Sequence, residues 1–590
     1  MYTFRRFKKN GSLRFVNVLG LSIVFACLLL SFAYLKRELS FDRHHLHADR
    51  MVRMSIRFDD QPVDGRLWGN SIDAVLQQTP EIERTVRIHK VNTAVLKYQG
   101  ESQTINDFYS ASGNLLDVFT LPLVAGDPQT ALASPRQAIV SRSFARRLFG
   151  DDALEKFRQA PISLEGRQIA PDSAFYISGI YEDMPETSHF HADIILHRPD
   201  TDEDYSYYYL LLKEGTDLRA LERKMTRLAE ARFTEQKPHI LLMPLVDIHL
   251  HSHMLREMEA NGHINYLYLV IGADLLLLCV VLLNIWLNQS LIFAAGRKYY
   301  QLLRINGASS LSVLKDEFLL ALLSGGLSVM AGIILAYSAF ACGYFPWFPS
   351  PVPIVWLALA FLGVTLAVSL IPVWRNIAFT LFTQTRIDLK PVRFSYANVK
   401  YMLTAQYVLV MLSVILAFGI GRQMHMVKST QVGGDDPCLL VMDEQPWAVI
   451  GRYARLKAEL LKHPEIEAVT AAYQLPGDAI RDYITVIPEG SDEKKGVPLL
   501  LTDKDFLSFY DIPILAGRDF SPDRYDYKTE ERQLMDRMTT NKFRAFPKNT
   551  SSTGKPWRCW VSVLPKRPSA KRCRSKTPPS ITSTRGWFAA

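Results

Sequence analysis

The sequence predicts a membrane protein, an α-helical transmembrane bundle of five crossings that carries external α+β domains. Five apolar runs reach the roughly 20 residues that a helix needs to span a bilayer. Between the first two runs lies a long stretch, residues 36–263, of ordinary globular composition. An internal repeat places a second stretch of this kind after the fifth run. These observations exclude a purely soluble protein, although charged residues make up 22% of the chain.

The first crossing is expected at residues 15–35. It follows a cytoplasmic N-terminus, residues 1–14, that carries five basic residues and no acidic one. Positively charged flanks stay in the cytoplasm, so the helix begins inside. The alternative is a cleaved signal peptide, whose apolar core would span about 7–15 residues. The run is longer than that, which favours a retained anchor.

The remaining crossings are expected at residues 264–287, 318–343, 352–374 and 401–421. The two linkers predicted to be cytoplasmic, residues 288–317 and 375–400, are rich in Lys and Arg. The loop between the third and fourth crossings has no charge and several aromatic residues, as expected outside. Every connection therefore agrees with a cytoplasmic N-terminus.

Residues 36–263 form the predicted main external domain. They contain no cysteine, so this segment must fold on its apolar core. Strand-like runs at 138–140, 175–180 and 239–243 alternate with helical stretches such as 218–233. The mixture predicts an α+β domain.

Two sequence matches define the internal repeat. Residues 80–83 (PEIE) recur as 464–467, and residues 116–126 (LDVFTLPLVAG) recur without gaps as 507–517 (LSFYDIPILAG). The order is preserved and the spacing nearly so. Residues 422–525 are therefore predicted to form a partial second external domain.

The tail, residues 526–590, differs from the rest of the chain. From Arg537 onward it holds 13 Lys or Arg and no Asp or Glu, whereas the preceding residues sum to a net charge of −4. We expect a basic low-complexity tail that is disordered or out of frame. The alternative is a natural polybasic tail that binds anionic lipid. Because the positive charge belongs to the tail, it does not indicate a nucleic-acid partner.

Motifs for catalysis are missing from the sequence. It contains no phosphate-binding G-x-x-x-x-G-K-[ST] loop, no G-x-S-x-G elbow, no H-E-x-x-H pair and no C-x-x-C. Two histidine clusters could in principle bind metal, but neither has a further ligand at a familiar spacing. We therefore expect no catalytic, cofactor or metal site, and structural or exposed histidines instead. The clusters are His249, His251 and His253, which would share one face of a strand, and His44, His45 and His47.

Three polar residues lie within the second predicted crossing or at its end. Asp274 is an acid near the middle of this crossing. A charge at that depth is costly, and such residues usually face a bundle interior or a polar path. Two roles are open for Asp274. It either serves in transport or as a proton relay, or it is a protonated or hydrogen-bonded acid at a helix contact, and we favour the second role. Asn284 and Asn288, four residues apart, are predicted to bond neighbouring helices.

The linker between crossings two and three contains a short amphipathic helix that Gly307 would end. This helix either lies on the lipid surface or docks a cytoplasmic partner. Its candidate coupling residues are Arg297, Lys298, Arg304, Gly307, Ala308 and Ser309.

These stretches resemble the MacB/FtsX-type permeases of ABC transporters, in the long form with two permease repeats and a separately encoded ATPase. The resemblance extends over residues 15–522, and the chain would be truncated or frameshifted beyond it. It differs from relatives in the coupling segment, where Tyr299 stands in place of Glu. The motifs that carry the resemblance are 38–43 (ELSFDR), 119–127 (FTLPLVAGD), 145–150 (ARRLFG), 247–252 (DIHLHS) and 284–309.

The resemblance implies MacB-like periplasmic domains and a non-catalytic subunit of the bacterial inner membrane, without a cofactor. A cytoplasmic ABC ATPase would dock on the coupling segment and move the periplasmic domains to export or extract a substrate. Further partners would be a periplasmic adaptor or outer-membrane component and membrane lipid. Two alternatives remain open: an FtsX-like regulator of a periplasmic cell-wall hydrolase, and a membrane-tethered receptor without an ATPase.

Overall fold

The computed structural model divides the chain into two compact units. The membrane unit holds Met1–Phe41, His249–His251 and Gly262–Gln423, and the second unit holds Asp42–Ile248, Ser252–Asn261 and Met424–Ala590. The described residues are 11–58, 62–68, 72–91, 94–105, 108–157, 161–166, 169–198, 205–233, 237–295, 302–303, 306–348, 350–383, 396–429, 439–442, 452–472, 474–475, 482–486, 495–514 and 560–565.

Helix α1 (Gly11–Glu38) contains the first predicted crossing and ends in a basic turn with Lys36 and Arg37. Cations at a helix C-terminus are favourable because they face the negative end of the helix dipole. The helix extends beyond the apolar run at both ends, since polar residues in the flanking turns can continue the same backbone hydrogen bonds.

A sheet domain, called the first sheet domain, follows α1 in the chain. Its elements are β1 (Met51–Phe58), β2 (Leu67–Trp68), α2 (Asp73–Gln77), β3 (Ile82–Val91), β4 (Ala94–Tyr98), β5 (Glu101–Ile105), β6 (Phe108–Ala111), α3 (Leu115–Val118), β7 (Leu123–Ala125), β8 (Gln137–Ser141), α4 (Arg142–Phe149), α5 (Ala153–Lys156), β9 (Ile162–Gly166), β10 (Ile169–Tyr181), β11 (Ile194–His197), β12 (Tyr205–Leu212), α6 (Leu218–Arg232), β13 (Pro238–Pro244) and α7 (Ile248–His251).

The described strands of this domain form one mixed sheet in the order β13-β1-β12-β3-β6-β11-β8-β10-β9-β4-β5, with β2 on β12 and β7 on β10. The pairs β8–β10 and β6–β11 are parallel, and the other pairs are antiparallel. The predicted α+β character is confirmed. The strands expected from the sequence correspond to β8, β10 and β13, and the expected helix to α6.

Strand β12 shows how the sheet is covered on both faces. Tyr207, Tyr209 and Leu211 belong to one apolar cluster, whereas Tyr208 and its alternating neighbours belong to another. Successive side chains of a strand point to opposite faces, so both faces at β12 are buried. Helix α6 covers the second face with Leu221 and two further apolar residues of that cluster. Burial on both faces explains how a segment without cysteines has a substantial core.

Four long apolar helices follow, so the described residues contain five helices long and apolar enough to cross a membrane, as predicted. The predicted crossings lie within these helices, except that the third helix ends at Ala341. The four are α8 (Ile264–Ala295), α9 (Ser310–Ala341), α10 (Pro351–Thr383) and α11 (Tyr396–Ser429).

Helices α1 and α9 pack closely through small residues. A Cβ atom on Gly332 would lie 2.8 Å from the carbonyl oxygen of Ser22 and 2.9 Å from the Phe25 ring. Ala336, one turn further along α9, is fully buried with Leu29 of α1 in the same apolar cluster. Small residues four apart let two backbones approach within a membrane, where van der Waals packing replaces the hydrophobic effect.

A second, smaller group of elements follows α11, and its described sheets are β14-β18-β15 and the hairpin β16–β17. Strand β18, which is six residues long, lies in the predicted basic tail. The other residues of that tail lie outside the described residues. The elements are β14 (Leu440–Met442), α12 (Tyr453–Leu460), β15 (Ile466–Ala472), β16 (Asp482–Val486), β17 (Lys495–Leu499), α13 (Phe506–Phe509) and β18 (Trp560–Pro565).

The internal repeat is visible in the backbone pairing. Ile88 of β3 pairs with Ala111 of β6, and Ala472 of β15 pairs with Thr502 in the same antiparallel sense. These pairs are related by the two sequence offsets, 384 and 391 residues. The hydrogen bond from the Ser112 N–H to the Arg87 carbonyl recurs from Asp503 to Ala471. Helices α3 and α13 also occupy equivalent positions.

Candidate functional site

Glu38, the last residue of α1, forms a bond with His249. The carboxylate Oε2 lies 2.7 Å from the imidazole Nε2, and both side chains are more than nine-tenths buried. Phe41 stacks on the same imidazole, with ring centroids 3.3 Å apart and planes 1° from parallel. The imidazole is therefore held at its edge and on one face.

Gly262, two residues before α8, completes this group. A Cβ atom there would lie 2.8 Å from His249 Nε2 and 2.9 Å from Glu38 Oε2. Only the absence of a side chain allows the backbone so close to the bond. Glu38, Phe41, His249 and Gly262 are called the juxtamembrane cluster, and they join the end of α1, helix α7 and the approach to α8.

Arg37 links this cluster to the loop between α9 and α10. Its guanidinium carbon lies 4.1 Å from the centroid of the Trp347 ring and 5.5 Å from that of Phe41. One of its nitrogens lies 3.2 Å from Glu38 Oε1. Cation–π contacts of this kind contribute about 0.5–2 kcal/mol, more where water is excluded.

In the second unit, Asp42 is fully buried and bonds to the turn before β11. Its N–H donates to the Thr187 carbonyl at 2.8 Å, and its Oδ1 accepts from the His189 N–H at 3.1 Å. Oδ1 also lies 2.8 Å from His189 Nδ1, while His189 Nε2 lies 2.7 Å from the Tyr209 hydroxyl. Burial would raise the pKa of Asp42, but the charge and hydrogen bonds of His189 hold that pKa below its ordinary value.

Arg53 of β1 binds the segment that follows α7. Its guanidinium is fully buried and lies 2.5 and 2.9 Å from the two carboxylate oxygens of Glu257. Ser252 accepts from Arg53 and donates to Glu257. Although burial opposes ionisation, these contacts raise the pKa of Arg53 and lower that of Glu257.

The intramembrane polar residues find partners on α1. The Ser31 side chain lies close to the Asp274 carboxyl. The side-chain amide of Asn288 donates to Asn284 and to Asn17, at 2.6 Å in each case. Both contacts join α1 to α8, and Asn17 was not anticipated from the sequence.

Only part of the predicted coupling segment can be located. Arg297, Lys298 and Arg304 lie outside the described residues. Gly307 has φ +84°, and the N–H of Ala308 bonds back to the Leu303 carbonyl at 3.0 Å, a helix-ending arrangement that favours glycine. The Ser309 hydroxyl caps α9 by accepting from the Ser312 N–H at 3.2 Å.

The two predicted histidine clusters take other roles. Residues 248–251 form a short helix instead of a strand, so His249 is buried against Glu38 while His251 and His253 are exposed. His45 is buried beside His44. Sequence reasoning did not find the pairing of Glu38 with His249. The available signal was an acid directly after the basic end of an apolar run.

Residues 15–228 match the family described as MacB-like periplasmic core domain. No curated protein matches the chain. Among solved structures, a permease domain from Porphyromonas gingivalis is 22% identical, with a TM-score of 0.29 over 34% of this chain and 92% of that chain.

Two further solved structures are each 12% identical, with TM-scores of 0.25. The extracellular domain of the noncanonic ABC-type transporter YknZ from Gram-positive bacteria aligns with 32% of this chain and 99% of its own. The periplasmic region of MacB from Actinobacillus actinomycetemcomitans aligns with 33% and 89%. The family match covers α1 and the sheet domain as far as α6. This chain is therefore a multi-pass membrane protein whose first sheet domain matches the MacB-like periplasmic core domain.

Proposed function

We propose that the chain is the permease subunit of an ABC transporter, which couples ATP hydrolysis by a separate cytoplasmic ATPase to movement of periplasmic domains. The observation that carries this proposal is the match of residues 15–228 to the MacB-like periplasmic core domain, in a chain with five membrane-length helices. The chain itself would be non-catalytic and would lie in a bacterial inner membrane with its N-terminus in the cytoplasm. The moving domains would export or extract a substrate, with a periplasmic adaptor or outer-membrane component as a further partner.

The coupling segment is the proposed docking site of the ATPase, through Arg297, Lys298 and Arg304. The segment leads directly into α9, whose first turn is capped by Ser309. A capped helix transmits a push along its axis better than a frayed one, because its first backbone groups are already bonded. A displacement of the segment would therefore move α9 as a unit.

Within the membrane unit, the contacts continue from α9 to α1. Helices α1 and α9 pack closely at Gly332 and at the buried Ala336. Helix α1 then ends at Glu38, which is bonded to His249. A tilt of α1 would thus act both on the chain that leaves it at Phe41 and on the chain that returns at His249. Rigid-body movement of packed elements is an established switching mode.

The test is purification of the tagged full chain from its native membrane, followed by identification of bound proteins and measurement of ATP hydrolysis. We expect an ATPase carrying a phosphate-binding loop. The double variant Arg297→Glu/Lys298→Glu should lower its recovery about tenfold or more, because charge reversal disfavours docking. The matched control is Arg386→Glu in the other basic linker, which should leave recovery unchanged.

The alternative functions give different outcomes. A receptor would bring down no ATPase from any preparation, and this result would overturn the proposal. A regulator would bring down an ATPase together with a periplasmic cell-wall hydrolase. Equal losses in the double variant and in Arg386→Glu would reject the assignment of the docking site.

A further inference from the structure

The segment that directly follows α1 contacts the rest of the first sheet domain through histidine side chains. Asp42 bonds to His189, as described above, and His45 bonds to the backbone of Thr120. His44 packs against the His45 ring at a centroid distance of 4.0 Å. Asp42, His44, His45, Thr120 and His189 are called the histidine clasp, and all five belong to the second unit.

The bond between His45 and Thr120 fixes the protonation state of the imidazole. The Thr120 N–H donates to His45 Nδ1 at 3.2 Å, so Nδ1 must carry a lone pair. In return, the Leu46 N–H donates to the Thr120 hydroxyl at 2.8 Å. An imidazolium carries hydrogen on both nitrogens, and its Nδ1–H would point at the Thr120 N–H. The closed clasp is therefore compatible only with neutral His45.

The remaining ring nitrogens offer no compensation to a cation. His45 Nε2 and both ring nitrogens of His44 are buried without a hydrogen-bond partner among the described residues. A buried cation without acceptors costs far more than a neutral ring. Burial, reinforced by the neighbouring His44, accordingly lowers the pKa of His45 to about 3, and burial also lowers the pKa of His44.

The other charged groups around the clasp do not reverse this preference. Asp42 attracts a proton toward both rings, whereas His189 repels one from both, and His191 repels one from His44. Asp42 Oδ1 is already committed to His189. Further out, Glu259 pairs with His191 at 3.0 Å. Burial would raise the pKa of Glu259, but the hydrogen bond and charge of His191, and then the charge of Lys90, hold that pKa below its ordinary value. Lys90 also donates to the Met258 carbonyl.

We propose that the histidine clasp is a proton-binding site, at which protonation of His45 in acid releases residues 42–50 from Thr120. These residues are the chain connection between α1 and β1. Acidity outside the membrane would thereby loosen the attachment of this connection to the sheet. This proton binding is a property of the sheet domain and does not depend on whether an ATPase binds the chain.

The direction of the pH effect on clasp closure follows from the two protonation states of His45. A released His45 titrates near its ordinary value of 6.5, whereas in the closed clasp its pKa is about 3. Below pH 6.5 the open form binds a proton that the closed form does not, so closure weakens up to tenfold per pH unit until about pH 3. Between pH 7.5 and 5.5, opening should increase about tenfold.

The test is hydrogen exchange of the full chain in nanodiscs at pH 7.5 and 5.5, corrected for the intrinsic exchange rate. The amides of Leu46 and Thr120 report directly, because both donate within the clasp. We expect their exchange to rise about tenfold at pH 5.5, while amides of β12 stay protected. His45→Gln, which accepts a hydrogen bond but does not titrate, should reduce that rise to less than threefold. His239→Gln, outside the clasp, is the matched control and should leave it intact.

Two outcomes at the clasp amides and one in β12 would overturn the proposal. One is unchanged exchange of Leu46 and Thr120 in the unmodified chain. The other is a full tenfold rise in His45→Gln, which would assign the effect to a different group. If His45→Gln fails to fold at pH 7.5, His45→Asn provides the same comparison. A rise of equal size in β12 would indicate general unfolding and would likewise reject a local clasp.

Discussion

Glu38 and His249 are 211 positions apart in the chain, yet their side chains lie 2.7 Å apart with almost no exposure to solvent. One ends the first membrane helix, and the other lies shortly before the second. The bond therefore closes a loop that contains nearly the whole first sheet domain. Because both groups are buried, loss of either one leaves the other without its partner.

Glu38→Ala should lower the melting temperature of the detergent-solubilised chain by about 6–20 °C. Removing one partner of a buried pair costs about 3–5 kcal/mol, and each kcal/mol corresponds to about 2–4 °C in a domain of this size. The control is Glu83→Ala, which breaks the more exposed pair with Arg50 and should cost about 1 kcal/mol or less. Equal shifts in the two variants would show that the Glu38 bond is no stronger than a surface pair.

Gly262→Ala should weaken the same cluster without removing a charge. The new Cβ would lie within 3 Å of both bonded atoms, and forced overpacking costs about 1–3 kcal/mol. Gly272→Ala is the matched control, since nothing lies within 4 Å of its Cβ position. The melting temperature should fall for Gly262→Ala and rise for Gly272→Ala, because alanine favours a helix interior by about 0.5–1 kcal/mol relative to glycine. Identical melts would mean that Gly262 does not constrain the bond.

Gly332→Leu should separate α1 from α9. Its Cβ would meet a backbone oxygen at 2.8 Å, which cannot move aside as a flexible side chain could. The matched control is Gly326→Leu on the same helix, where an added Cβ would meet no atom within 4 Å. We expect loss of the monodisperse peak in size-exclusion chromatography for the first variant alone. A normal peak for Gly332→Leu would contradict close packing at this position.

Arg53→Met should destabilise the chain strongly, because it leaves the Glu257 carboxylate in a largely buried site without its cation. The expected cost is about 3–5 kcal/mol. The double variant Arg53→Met/Glu257→Leu should recover most of the loss, since apolar residues of similar volume often replace a buried pair without penalty. The measurement is the melting temperature of both variants. Additive losses in the double variant would show that the two residues act independently.

The sequence predicted the features that depend on local composition. Apolar runs gave the five long helices, and alternating or β-branched runs gave strands β8, β10 and β13. The helix stop at Gly307 could also be predicted, because glycine readily adopts the positive φ found there.

Contacts between distant segments could not be predicted in this way. The pairing of Glu38 with His249 depends on the fold of more than 200 intervening residues. The alternation of the histidines at 249–253 predicts that they share one strand face, but the segment begins with a helical turn that buries His249 alone. The sequence does not indicate Asn17 as a partner, because a single asparagine near a basic terminus has no distinctive pattern.

The pairing Ile88–Ala111 and its counterpart Ala472–Thr502 also bear on the ancestry of the chain. The second copy has seven more residues between the paired positions. In the first copy, Tyr98 and Glu101 flank a two-residue hairpin turn, whereas Val486 and Lys495 are separated by eight residues. The residue counts differ at three places: the second copy has four more residues before the paired strands, six more between them and three fewer after them. A duplicated gene whose copies changed length only between paired strands would retain interchangeable frameworks, which makes the connection between β16 and β17, where the difference is largest, the natural position for grafting sequence from one copy to the other.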